Sequence, residues 1–220
     1  MTNKRDFPAY GAVEAAHCLA LPPATVRWWA VGDEKRGLPA LIKPAAEGPL
    51  CLSFLNLVEL YVIASMRRGH GVSMPRLRRA MERSGHARPL IAETFWTEGG
   101  DVFIERYSKY FNVSARAPAQ AVIKATLEKS MRRVERDTKG LAMRFSPWLN
   151  NPAEPYWVEV DPERASGRLV VAKTAIPTEA IAERFFAGET SADLAADFDL
   201  SQLQVDAAVR WEHAALLAAA

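Results

Sequence analysis

From Phe54 to Met66 the chain is apolar at almost every position, and a helix over this stretch has no side to offer to water. Leu55, Leu57, Val58, Leu60, Tyr61, Val62 and Ile63 occupy most faces of a 3.6-residue repeat, so the segment belongs deep inside a folded body. Ser53 is placed to cap it, and the helix should run to about Arg68. Ser53, Asn56, Glu59 and Ser65 interrupt the run, leaving it short of the roughly 18 uninterrupted apolar residues of a membrane span. The rest of the chain has to supply the cover. With 220 residues, 49% apolar and 25% charged, it has the material for one or two ordinary cores and is neither disordered nor fibrous.

Punctuation divides the chain into residues 1–86, 87–150 and 151–220. The first break lies near Ser84-Gly-His-Ala-Arg-Pro89, and the second lies in Phe145–Pro155, where three prolines and two asparagines stop any helix. The first part reads helix (Ala12–Leu19), turn (Leu21-Pro-Pro23), helix through Trp28 and Trp29 to Gly32, then a hairpin. That hairpin uses Ala40-Leu-Ile42 and Leu50-Cys-Leu52, and is followed by the apolar helix and a short basic helix after Ser73. The second part reads as a hairpin, Ala92–Thr97 and Asp101–Arg106, then a helix with Ile123, Leu127, Met131 and Val134 on one stripe and Lys124, Arg132, Arg133 and Arg136 off it. The third part reads as two short strands, Tyr156–Val160 and Leu169–Ala172, and three helices, 177–187, 191–198 and 202–217. The fold class expected is mainly α with short β-hairpins: an N-terminal winged helix-turn-helix, a middle hairpin-plus-helix module for dimerisation, and a C-terminal trihelical domain.

The net charge of +2 conceals a strong asymmetry. Residues 1–86 carry 12 Lys/Arg against 7 Asp/Glu, residues 87–150 carry 11 against 7, and residues 151–220 carry 5 against 12. A basic front and an acidic rear call for different partners, and the front suits a polyanion. Two ordinary domains with drifting surface charge would give the same numbers.

Both ends contain a helix-turn-helix pattern. In such a motif one helix braces a second that enters the major groove. The front copy offers Thr25, Arg27 and Trp28 on its second helix and Lys35, Arg36 and Lys43 in the wing that follows, a set suited to base edges and backbone phosphates. The plainer alternative is that both tryptophans pack and Arg27 is solvated. In the rear copy the third helix presents Gln202, Gln204, Asp206 and Glu212 with Arg210 its one cation, and DNA phosphates would repel it.

Little points to catalysis. The four histidines are scattered, no phosphate-binding glycine loop is present, and no carboxylate pair stands out as acid and base, so neither catalytic residues nor metal or cofactor ligands are expected. Cys18 and Cys51 lack metal spacing and suit a reducing compartment; with no apolar stretch behind the first cations to act as an export signal, a cytoplasmic location without membrane association is expected.

Tyr10–Ala16 with Leu21–Trp29 resembles the opening of MerR-like winged regulators, and Phe54–Leu60 and Gly71–Leu77 resemble the two helices after their wing. Val160-Asp-Pro162, Gly167-Arg168, Ile176-Pro-Thr178, Ala187-Gly-Glu189, Leu194-Ala195 and Ala207–Arg210 resemble the domain-of-unknown-function family 433, although Leu169 and Ala175 stand where that family usually has proline and arginine. The combination resembles VapB-type antitoxins. The resemblance implies a DNA-binding, self-repressing protein that neutralises a PIN-domain or PIN-like ribonuclease toxin, with no activity of its own. It also implies that a cation is offered to the toxin's acidic site, for which the basic middle segment, or Arg164 and Arg168, are the candidates rather than the acidic tail. A homodimer on a palindromic double-stranded operator is expected, joined through the 54–66 helix and the 92–106 hairpin. The alternative is a MerR-like regulator without a toxin, its C-terminal half sensing a ligand or protein.

Overall fold

The computed structural model describes residues 4–70, 74, 78 and 128–220. Helix α1 (Ala12–Leu19) begins after Gly11, whose amide is held by Glu14 Oε2 at 2.6 Å, and ends at Ala20 in the left-handed conformation. Pro22 and Pro23 then make the turn, and Pro23 opens α2 (Pro23–Val31) at the position where its missing N–H costs nothing. Helix α3 (Phe54–His70) is capped by Ser53, whose Oγ accepts from the Asn56 amide at 3.1 Å while Asn56 Oδ1 accepts from the Ser53 amide at 3.1 Å. Every residue from Ser53 to Met66 is at most 4% exposed. The expected central helix is therefore present, but its proposed second role as a dimer surface is corrected: the chain covers it on all sides.

The wing also departs from expectation. The hairpin is β1 (Ala46–Glu47) with β2 (Leu50–Cys51), and Ala40-Leu-Ile42 is not a strand. Leu41 donates its amide to the Trp29 carbonyl at 2.8 Å, and Leu41 and Ile42 sink into the core, which pulls this stretch out of reach of a strand partner. A short 3-10 turn, Glu34–Arg36, follows α2 instead, capped by Asp33.

Residues 128–132 are helical, and the helix expected to carry Val134 ends there. Val134–Arg136 is a strand, β3, in an antiparallel meander β3–β4–β5–β6 with β4 (Ala142–Phe145), β5 (Val158–Val160) and β6 (Leu169–Val171). This sheet makes the protein mixed α/β rather than α with hairpins. It also crosses position 150, because Phe145 pairs with Val160. The proline-rich stretch between β4 and β5 is organised by Arg133, 1% exposed, rather than solvated as its sequence position suggests. Its guanidinium donates to the carbonyls of Ser146 (2.8 Å), Pro147 (3.2 Å) and Glu154 (2.6 Å) and lies 4.3 Å from the Tyr156 ring centre. Five rigid donors satisfy backbone acceptors that neither helix nor sheet can reach.

Three helices follow: α4 (Thr178–Phe186), α5 (Ser191–Asp197) and α6 (Gln202–Ala219). Ile181, Leu194, Val205 and Ala208 make a small core against Val171. Trp211 leaves that group and joins Leu19, Leu57, Phe145 and Leu169 in the main one, so both ends of the chain share a hydrophobic centre. The 92–106 hairpin, the helix after Ser73 and the start of the helix after Pro118 lie outside the described residues.

Candidate functional site

Helix α2 buries Val26, Trp29 and Ala30 and turns Ala24, Arg27, Trp28 and Val31 outward, a stripe at helical spacing. Arg27 stands exposed on it. Lys35 in the 3-10 turn and Lys43 before Pro44 are exposed too, and among the described residues none of these three cations has a carboxylate within ion-pair distance. Arg36 differs. Its guanidinium lies 5.4 Å from the Trp28 ring centre and 3.5 Å from Asp33, so it is steered back toward the helix.

Thr25, Trp28 and Arg36 meet in a cleft of about 540 Å³, while Arg27, Lys35 and Lys43 lie outside it. Arg67, Arg68 and Arg78 line the same cleft, three cations that the sequence reading did not connect with α2. Arg68 is fixed: it donates to the carbonyls of Leu19 (2.5 Å), Ala20 (2.8 Å) and Trp148 (2.9 Å), closing the end of α1. Burial lowers its pKa from the ordinary arginine value. The sequence signal available was the Arg67-Arg68 pair at the end of an otherwise apolar helix.

A second polar group joins the two ends of the chain. His17 on α1 hydrogen-bonds through Nε2 to Glu212 Oε2 at 2.6 Å, and Thr178 Oγ1 donates to Glu212 Oε1 at 2.5 Å. The bond to Glu212 holds the His17 pKa above the usual imidazole value, against the opposing effect of burial. Glu212, expected on the solvent face of the third helix, is 6% exposed and serves this junction instead. Cys18 beside it is buried, and burial pushes its thiol up to about 12, so it is core rather than nucleophile.

Arg164 and Arg168 flank a tight loop in which Ala165, Ser166 and Gly167 all have positive φ. Arg164 is engaged within the chain, 2.7 Å from Glu159 and 3.5 Å from Asp161, whereas Arg168 is exposed. Gly167 lies against Tyr10: a Cβ there would fall 2.1 Å from the tyrosine hydroxyl. Among the described residues no group of three His, Cys, Asp or Glu side chains is placed to hold a metal ion, and no helix is long and apolar enough to cross a membrane.

Residues 158–211, from β5 into α6, match the family described as Protein of unknown function (DUF433). A curated protein of Mycobacterium tuberculosis (strain ATCC 25618 / H37Rv), named "Putative antitoxin VapB45", is 32% identical over 120 residues, covering 46% of this chain and 48% of that protein. The chain thus spans about half the length of the curated relative it matches. The crystal structure of Rv2018 from Mycobacterium tuberculosis aligns with a TM-score of 0.66 at 22% identity, over 94% of this chain and 100% of that one, and shares its fold.

Proposed function

We propose that this chain is the antitoxin of a toxin–antitoxin pair, that its partner is a PIN-domain or PIN-like ribonuclease, and that it represses its own operon by placing α2 in the major groove of operator DNA. The antitoxin part is supported by the likeness to the protein named "Putative antitoxin VapB45". The DNA-reading part rests on one observation: the exposed, unpaired Arg27, Lys35 and Lys43 on and after α2, in the half of the chain where basic residues prevail. Unpaired surface cations release counterions on meeting phosphates and gain affinity from it. Toward the toxin, Arg168 is the candidate contact, and Arg164, held by Glu159, positions the loop that presents it. Catalysis by the chain itself forms no part of this reading, and a homodimer supplies the second recognition helix for a palindromic site.

Gel shifts of the intact protein on its own promoter test the DNA half. Arg27→Ala should weaken operator binding by about 1–3 kcal/mol and relax sequence preference, and Lys43→Ala should weaken all sequences alike and reduce the salt slope by about 1. No affinity at moderate salt removes the regulator role. Co-purification with the product of the neighbouring reading frame tests the toxin half. Operator binding without such a partner would favour the alternative, a MerR-like regulator whose C-terminal half senses a ligand or protein.

A further inference from the structure

We propose that the cleft between α2 and α3 binds an anionic ligand bearing a flat ring, of the nucleotide class, and that this ligand competes with operator DNA. Arg36, Arg67 and Arg68 line it, with Asp33, 3.5 Å from the Arg36 guanidinium, the one carboxylate among its described lining residues. Arg68 spends its donors on three carbonyls, which satisfy its hydrogen bonds and leave its positive charge uncompensated by any carboxylate bonded to it. Cations gathered along a concave wall raise a positive potential inside it, and a phosphate entering there relieves their mutual repulsion. The remaining wall is of another chemistry. Trp28 is 45% exposed, and Trp29, Leu21 and Leu38 continue the apolar surface. An exposed indole beside a guanidinium is a stacking platform for a base, and about 540 Å³ is a volume usual for a small-molecule site.

The competition rests on the operator-reading proposal, whereas the ligand site does not. Thr25, Trp28 and Arg36 line the cleft and also belong to the presumed reading surface, so a bound nucleotide occupies side chains that DNA requires. Arg27 lies outside the cleft and separates the two ideas.

The test is calorimetric titration of the full chain with GMP, AMP, guanosine and inorganic phosphate. At least one nucleotide should bind saturably below about 1 mM, with guanosine and phosphate each much weaker. Trp28→Ala and Arg67→Gln should each weaken nucleotide binding about tenfold with the melting temperature unchanged, and Arg27→Ala should leave it as it was. Saturable binding by neither nucleotide, or binding indifferent to both cleft variants, overturns the site. Nucleotide binding alongside a failure to bind promoter DNA overturns the competition and the operator reading while upholding the ligand site.

Discussion

Replacing Gly167 with alanine adds one carbon at a place where the two ends of the chain touch. On the backbone as it stands, that carbon falls 2.1 Å from the Tyr10 hydroxyl oxygen and 2.9 Å from Cζ, and φ is +78°. Two costs follow. Alanine in the left-handed region loses about 1 kcal/mol relative to glycine. Relieving the contact costs about 1–3 kcal/mol more, as for other overpacked cores, because Tyr10 is 5% exposed and its amide and carbonyl are both bonded to Leu52 (2.9 and 2.8 Å). The total expected is about 2–4 kcal/mol, read as a lower urea midpoint at unchanged slope. Tyr10→Phe removes the nearest atom, so the alanine substitution should cost at least about 1 kcal/mol less in that background. A Gly167→Ala protein within about 0.5 kcal/mol of the wild type, or an equal cost in both backgrounds, refutes the account.

Two other outcomes are accessible to the same measurements. Arg133→Lys should destabilise by about 2–4 kcal/mol, since one ammonium cannot serve the carbonyls of Ser146, Pro147 and Glu154 together; an unchanged midpoint would dismiss its organising role. The His17 pKa is raised in the folded state, so the contribution of its bond to Glu212 is complete below the unfolded imidazole value of about 6.5 and declines as pH rises through the higher folded value. His17→Gln should flatten the stability profile in that window, and a profile matching the wild type would exclude the histidine as its source.

What the sequence made legible was local. A proline at the head of α2, a serine ahead of α3 and the unbroken apolar run between Phe54 and Met66 each announce structure within a few residues. The sheet was hidden because its strands are only three or four residues long and one of them, Val134–Arg136, continues a helical stripe in phase. Arg133 looked like a surface cation, for nothing nearby says that a loop of prolines will fold over it. His17 and Glu212 are 195 residues apart, and no periodicity links them. At the candidate site the second helix and its exposed cations were readable, whereas the cleft needed the tail of α3 brought beside Trp28.

Trp211 donates its indole N–H to the carbonyl of His17 at 3.2 Å and sits in the same apolar cluster as Leu19 and Leu57. The C-terminal helix is therefore part of the floor on which the first two helices stand. Unwinding α6 would not trim an accessory from an otherwise intact fold. It would strip the underside from α1 and take Trp211 out of the apolar cluster it shares with Leu19, Leu57 and Phe145.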